Sequence, residues 1–429
     1  MAFLLDTLLK NAVLLLPDGT VCKDAEVGIR GGEIVSIADK GKSGETADTV
    51  DCGGNLLTPG FYNAHAHSPM TILRGYGENL PLMRWLTERI FPAEDKLTAD
   101  DVYYGTLLAC MEMARGGTVS ASDMYFFTMA MGEAFSDAGM KVNLSPALTC
   151  SDDSRFDELP ICKTMGELSE RFAGHPLVHV ELSIHAEYTT TEKSVRGAAD
   201  YAREHGLRLH LHLSETESEH NECIARNGVT PAQYFENCGV FSLPVSAAHC
   251  VWCTPEDFAL MARRGVTAVS CPTSNLKLAS GIIDSAALMA AGVHLALGTD
   301  GAASNNGLSM LETMKLFSLL AKYRNRDAAF ITPQQVFDAA TVGGARAQGR
   351  GDCGTIAVGS RADLVLWDLS APTMIPCFDP VTALVYAADP GQVKMTMVDG
   401  CVVYRNGEYK TIDSERVRYE MARASRELW

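Results

Sequence analysis

His65 and His67 stand one residue apart in GFYNAHAHSPM, behind an apolar run and the turn pair Pro59-Gly60. Side chains two apart on a strand share a face, so the pair can aim two imidazoles at one point. Neutral imidazole is a good ligand for zinc or iron. Alone, the H-x-H is equally well two satisfied polar residues at a strand end. Further along, His212, Glu215, His249 and Asp300 fall at or just beyond the ends of other β-like runs, LRLHLHL, VSAAHC and VHLALGTD. Nitrogen and carboxylate donors meeting from several strand ends make a metal site with an open coordination position. Activating a water molecule is the chemistry such a site performs.

Two motifs compete for that role. His185-Ala186-Glu187 is an H-x-E and Cys250-Val251-Trp252-Cys253 a C-x-x-C, the pieces of the zinc nucleobase deaminase signature. Histidine rather than proline precedes Cys250, and that fold is much smaller than this chain. The cysteines read as two packed thiols, with a redox pair as the lesser alternative. His210 lies one pleat deeper than His212 and reads as a group that orients a ligand from behind. Neither G-x-G-x-x-G nor G-x-x-x-x-G-K-[ST] occurs, so dinucleotide and P-loop readings have no support. The glycines of TVGGARAQGRGDCG read as helix termination.

The elements that must position these residues alternate in type. Eight runs read as strands: 61–67, 118–124, 141–148, 178–185, 207–213, 245–250, 266–271 and 293–300. Amphipathic segments separate most of them, such as ADDVYYGTLLACMEMARGG, with Thr98 as N-cap and the glycines at 116 and 117 as the stop. Eight strand–helix repeats predict a (β/α)8 barrel over residues 57–350, with a doubly wound open sheet as the alternative. The long segment after the first strand, SPMTILRGYGENLPLMRWLTERIFPAEDK, would lie over the C-terminal mouth as a lid. Residues 1–56 and 351–429 are β-rich, with Gly31-Gly32, Asp399-Gly400 and Asn406-Gly407 as turn pairs. Together they predict one small composite β domain, a β-sandwich built from both ends of the chain.

The 429 residues carry a net charge of -17, which disfavours nucleic acid and anionic membrane as partners and leaves a small molecule. The apolar N-terminus is broken by Asp6 and Lys10 and lacks a basic region and a cleavage site. Thirteen scattered cysteines form no disulfide framework. A cytoplasmic protein with reduced thiols is the expectation.

TPGFYNAHAH, HLHLSETESE, AAHCVW and LGTDGAASNN occur in the order characteristic of the amidohydrolase superfamily, and the chain resembles its methylthioadenosine and S-adenosylhomocysteine deaminase branch. GTIAVGSRADLVLWD is similar to that family's return into its sheet domain. The resemblance implies one divalent metal, usually zinc, with iron or manganese as alternatives, on His65, His67, His212 and Asp300. It places Glu215, His249 and Asp300 in the catalytic step, attack of an activated water on C6 of an adenine ring with loss of ammonia. Trp85, Glu94, Arg155 and His185 match substrate-contacting positions, Glu94 toward the ribose, although Trp85 is equally well a lid anchor. With only Arg155 available for a substrate carboxylate, adenosine, 5'-deoxyadenosine or methylthioadenosine is favoured over S-adenosylhomocysteine. Guanine, a pterin, cytosine or a triazine are alternative substrates on the same fold, and a catalytically silent scaffold is the alternative of another class. A homo-oligomer is also implied.

Overall fold

The computed structural model describes residues 5–44 and 46–428. Eight parallel strands follow one another around a barrel in chain order: Phe61–Ala66, Thr118–Tyr125, Lys141–Leu148, a fourth split into Val178–Val180 and Leu182–Ile184, then Leu209–Leu213, Val245–His249, Thr267–Ser270 and His294–Leu297. First and last strands meet where the Asp300 N–H donates to the His65 carbonyl at 2.9 Å. The doubly wound alternative is thereby excluded. All eight predicted strands are present, with ends within three residues of those expected.

The helices between them start and stop on local chemistry. Thr98 caps Ala99–Arg115, its side chain accepting from the Asp101 N–H while Asp101 reaches back, and Gly116 follows the last turn. Thr191, Thr216 and Thr254 cap later helices in the same way. Each cap satisfies backbone donors that a helix leaves orphaned, worth about 1 kcal/mol. Gly265 closes Pro255–Arg264 at φ +70°, a conformation costly for any residue with a Cβ.

Gly343 and Gly344 correct one expectation, because they sit inside a helix, Val342–Ala347, rather than ending one. A Cβ on Gly344 would lie 2.1 Å from the Tyr62 carbonyl oxygen, and one on Gly343 2.5 Å from that of Leu295. The pair is there so that this helix can touch the barrel strands backbone to backbone.

Strands from both ends of the chain form a second sheet, hydrogen-bonded in one path that branches at Leu5–Leu15. Leu9, Val27, Ile34, Leu364 and Met395 share its apolar core. Gly31-Gly32, Asp399-Gly400 and Asn406-Gly407 form its turns, every one of these residues at positive φ. Phe61 of the first barrel strand packs on Trp367 at 5.8 Å between ring centroids, both fully buried, and this wedge ties sheet to barrel. Each ring contributes about 1.5–3 kcal/mol by burial. A terminal helix, Ser414–Leu428, which the β-rich reading of 351–429 missed, packs against Ala99–Arg115. Among the described residues no helix is long and apolar enough to cross a membrane.

Candidate active site

The first barrel strand ends at Ala66, so His65 and His67 project at its C-terminal end, the face where barrel enzymes place their chemistry. Their rings lie 4.8 Å apart, and that of His212, from the fifth strand, lies 4.9 Å from His65. The ligand-capable atoms of His65, His67 and His212 are all within 4.8 Å of one another, as are those of His65, His249 and Asp300. Asp300 Oδ1 is 3.3 Å from His67 Nε2 and 3.5 Å from His65 Nε2.

Hydrogen bonds from behind decide which nitrogen each imidazole offers. His67 Nδ1 meets the Met124 carbonyl at 2.5 Å and His212 Nδ1 the His185 carbonyl at 2.8 Å, so both rings donate from Nδ1 and keep a lone pair on Nε2. His65 Nδ1 faces His210 Nε2 at 2.9 Å, and its own Nε2 is buried without a hydrogen-bond partner. Burial pushes His65 down to about 4 and His212 well below its ordinary value, so both are neutral bases. An orphaned buried nitrogen among neutral imidazoles and a carboxylate is costly without a cation. The donor set fits a divalent metal ion.

Asp300 is held on every side: Ser274 and Ser304 donate to Oδ2 at 2.5 and 3.0 Å, and the Gly301 N–H donates to Oδ1 at 2.7 Å. Although burial opposes ionisation, the neighbouring imidazoles of His65 and His67 hold Asp300 well below the carboxylate range. His249 donates from Nδ1 to Asn275 Oδ1 at 2.8 Å and turns Nε2 toward Glu215 Oε2 at 3.7 Å. Burial raises Glu215, so this carboxyl is suited to carrying a proton. For His249 burial works downward, but the charges of Glu215 and Asp300 outweigh it and raise the imidazole.

Backbone strain gathers at these strand ends. Ser214, His249, Cys250 and Asp300 all adopt positive φ, 46° to 71°, in non-glycine residues, a conformation that surrounding structure must enforce. The enforcement beside Glu215 is visible: the buried Glu219 carboxylate accepts the N–H groups of Ser214 and Glu215 at 3.0 and 2.7 Å. Ser280 Oγ adds a contact to Glu215 Oε1 at 3.3 Å. Ser274, Asn275, Ser280, Ser304 and Glu219 were all missed from the sequence, since none is a ligand type at a strand end. Only Glu219, three residues beyond the N-cap Thr216, carries a local signal, the capping-box spacing.

A cleft of about 800 Å³, counting its open mouth, stands over this cluster. The lid continues from Ser68–Leu73 to a helical run, Leu82–Trp85 through Phe91–Glu94, that presents Trp85, Ile90 and Glu94 to the cleft. Trp85 is at once buried in the apolar core and part of the cleft wall, so the two readings of it are not exclusive. Burial lifts Glu94 to about 7, partly offset by the Tyr125 hydroxyl. His185 lines the cleft with Nδ1 on Thr189 Oγ1 at 2.9 Å.

Arg155 does not join them. It is absent from the cleft wall, its side chain is 60% exposed, and its guanidinium pairs with Asp157 at 2.6 Å. The expectation that it meets a substrate carboxylate has no support in this placement. Glu187 of the H-x-E turns away to Arg226 and Asn227 at 2.6 and 2.7 Å, which removes that motif from the metal chemistry. Cys250 and Cys253 are buried free thiols, and the neighbouring Cys250 together with burial pushes Cys253 well up, as packed thiols should be.

A (β/α)8 barrel whose C-terminal mouth gathers imidazoles and a carboxylate around a place for a divalent ion defines the class of metal-dependent barrel hydrolases. Comparison with known proteins narrows the class. A family model described as the amidohydrolase family matches residues 56–403. The 5-methylthioadenosine/S-adenosylhomocysteine deaminase of Nitratidesulfovibrio vulgaris is 38% identical over 425 residues, covering 98% of this chain and 96% of that protein. The 5'-deoxyadenosine deaminase of Methanosarcina mazei is 37% identical over 428 residues, covering 99% and 98%. A crystal structure of an adenosine deaminase from Xanthomonas campestris with bound zinc superposes with a TM-score of 0.94 at 32% identity, covering 99% of both chains. The chain belongs to the amidohydrolase family.

Proposed function

We propose that this protein is a metal-dependent hydrolytic deaminase of adenine nucleosides, converting them to the inosine analogue and ammonia. One observation carries the reading: the imidazoles of His65, His67 and His212 and the Asp300 carboxylate converge, beside the Glu215–His249 pair, on the floor of a cleft open to solvent. The relatives named above, deaminases of methylthioadenosine, S-adenosylhomocysteine, 5'-deoxyadenosine and adenosine, support it.

Zinc is the ion we assign to His65, His67, His212 and Asp300, where it would supply a water whose pKa falls from near 16 toward about 7. The chain's own groups handle protons and position. Asp300 and His249 line the cleft floor and would take up or orient a proton there. Glu215, whose carboxyl burial raises, delivers a proton to the purine ring nitrogen beside C6, so negative charge does not build up on the ring as water adds to C6. The proton taken up by Asp300 and His249 passes to the exocyclic nitrogen, the C–N bond breaks as C6 becomes a carbonyl carbon, and ammonia leaves. His185 faces the purine, and Glu94 accepts hydrogen bonds from the ribose hydroxyls when ionised. The lid, through Trp85 and Ile90, excludes bulk water from the cleft.

Ammonia release from a panel of purine nucleosides, free purine and pyrimidine bases and triazines tests this assignment. Turnover confined to adenine nucleosides is expected. Turnover of a free base or a triazine in their place would give the same site another substrate. The homo-oligomeric state that the family resemblance implies is read from sedimentation of the same preparation.

A further inference from the structure

The cleft changes chemistry between its floor and its mouth. The floor is imidazole and carboxylate; the mouth is formed by Phe91 and Phe126, 40% and 43% exposed, with Leu82 and Leu86 behind them and the neutral, exposed Thr149 at the end of the third strand. Among the described residues no lysine or arginine lines the cleft. Four cations on the surrounding segments are ion-paired: Arg84 with Glu88 at 2.7 Å, Arg155 with Asp157 at 2.6 Å, Lys193 with Asp153 at 3.3 Å and Lys277 with Glu78 at 2.7 Å.

Phe126 is held in place at a cost. The next residue, Phe127, adopts φ 51°, ψ 41°, a left-handed conformation rare for a bulky side chain and worth on the order of 1–3 kcal/mol. Such strain persists where surrounding structure enforces it, and here it turns the chain sharply just after Phe126, leaving that ring at the opening.

A nucleoside is long enough to connect floor and mouth. With C6 of the base over the imidazole cluster, the 5' carbon is at the far end of the molecule, so the 5' substituent reaches the mouth. Resting on the deaminase reading above, we propose that Phe91 and Phe126 form a specificity-determining subsite for an apolar 5' substituent. It selects adenine nucleosides with a short alkylthio group over those whose 5' chain ends in a zwitterionic amino acid. A carboxylate brought to this mouth would lose hydration and find no lysine or arginine in the cleft wall in exchange, whereas a methylthio group would gain contact with two rings.

The test uses the full-length, zinc-loaded protein with 5'-methylthioadenosine, adenosine and S-adenosylhomocysteine, reading kcat/KM by ammonia release and affinity by calorimetry. The unaltered protein should favour the methylthio compound over S-adenosylhomocysteine by tenfold or more. In Phe126→Ala and Phe91→Ala the methylthio-to-adenosine ratio of kcat/KM should fall by about tenfold, the scale of apolar-pocket discrimination. Phe126→Arg should shift preference toward S-adenosylhomocysteine. Equal use of the two thioethers by the unaltered protein would overturn the inference, as would alanine variants that leave the ratio intact. The calorimetric order separates the two claims: if no nucleoside is turned over but methylthioadenosine still binds at least tenfold more tightly than S-adenosylhomocysteine, the deaminase reading fails and the apolar subsite stands.

Discussion

Glu215 is the residue on which the proposed chemistry turns, since it alone combines a burial-raised carboxyl with a place on the cleft wall beside His249. Replacing it with glutamine keeps the shape and removes the proton. Glu215→Gln should therefore lower kcat for ammonia release by about 10²–10⁴ with a much smaller change in KM. Unchanged turnover would refute the role. His210 acts one layer back, through His65 Nδ1 at 2.9 Å. His210→Ala should weaken metal retention by about 10–100-fold, read as the chelator concentration that strips the ion, while the fold stays intact by circular dichroism. Metal-type residues at strand ends were legible in the sequence because period-two geometry and strand-end placement leave little freedom. Ser274, Asn275, Ser280 and Ser304 were not, because a hydroxyl or amide in a loop has no spacing rule that ties it to a partner elsewhere in the chain.

The βα units explain why the strands could be read so closely. Each strand is a short run, and the helices carry their own starts and stops: Thr98, Thr191, Thr216 and Thr254 as N-caps, Gly265 as a terminator. What the local pattern could not carry was Gly343-Gly344. Glycine inside a helix is locally indistinguishable from glycine ending one, and only the Tyr62 and Leu295 carbonyls opposite explain it. Gly344→Ala must force those backbones apart. It should cost about 1–3 kcal/mol of stability, measured as a lowered urea midpoint, whereas Gly351→Ala, whose Cβ would meet nothing within 4 Å, should fall within about 0.5 kcal/mol of the unaltered protein. The lid was visible by its length alone; its helical run and the turning of Arg155 to Asp157 depend on neighbours the sequence does not rank.

Across the whole molecule, barrel and sheet are joined by a buried ionic knot. Lys141, 2% exposed, reaches Asp363 at 2.5 Å and Asp399 at 2.6 Å, and Arg361 completes it on Asp399 at 2.7 Å. Lys141→Met would leave those carboxylates short of a cation in a dry interior, a loss of about 3–5 kcal/mol that equilibrium unfolding would show. Burial alone would raise Asp399, but the hydrogen bond from Arg361 and the charge of Lys141 hold it below 3.8. Its contribution to stability is thus present above pH 3.8 and is lost as the pH falls through the depressed folded value. Burial likewise works against Lys141, yet the charges of Asp363, Cys353 and Asp399 raise it above 10.5, so its contribution holds below pH 10.5 and fades as the pH climbs past the raised value. In the Lys141→Met protein both limbs of the stability profile should flatten. The knot was invisible in the sequence because Lys141 lies 222 residues before Asp363 and further still from Asp399.

A divalent metal at the barrel mouth serving adenine nucleoside deamination is open to direct measurement. Its most direct measurement follows conversion of 5'-methylthioadenosine and adenosine to their inosine counterparts, with ammonia counted alongside, before chelation, after it and on restoring zinc. One ammonia per nucleoside consumed is expected, with turnover abolished by the chelator and recovered with zinc, and none of this in a His65→Ala, His67→Ala double variant. A fully metal-loaded protein that leaves every adenine nucleoside unchanged, or whose turnover persists undiminished after the metal has been removed, would contradict it.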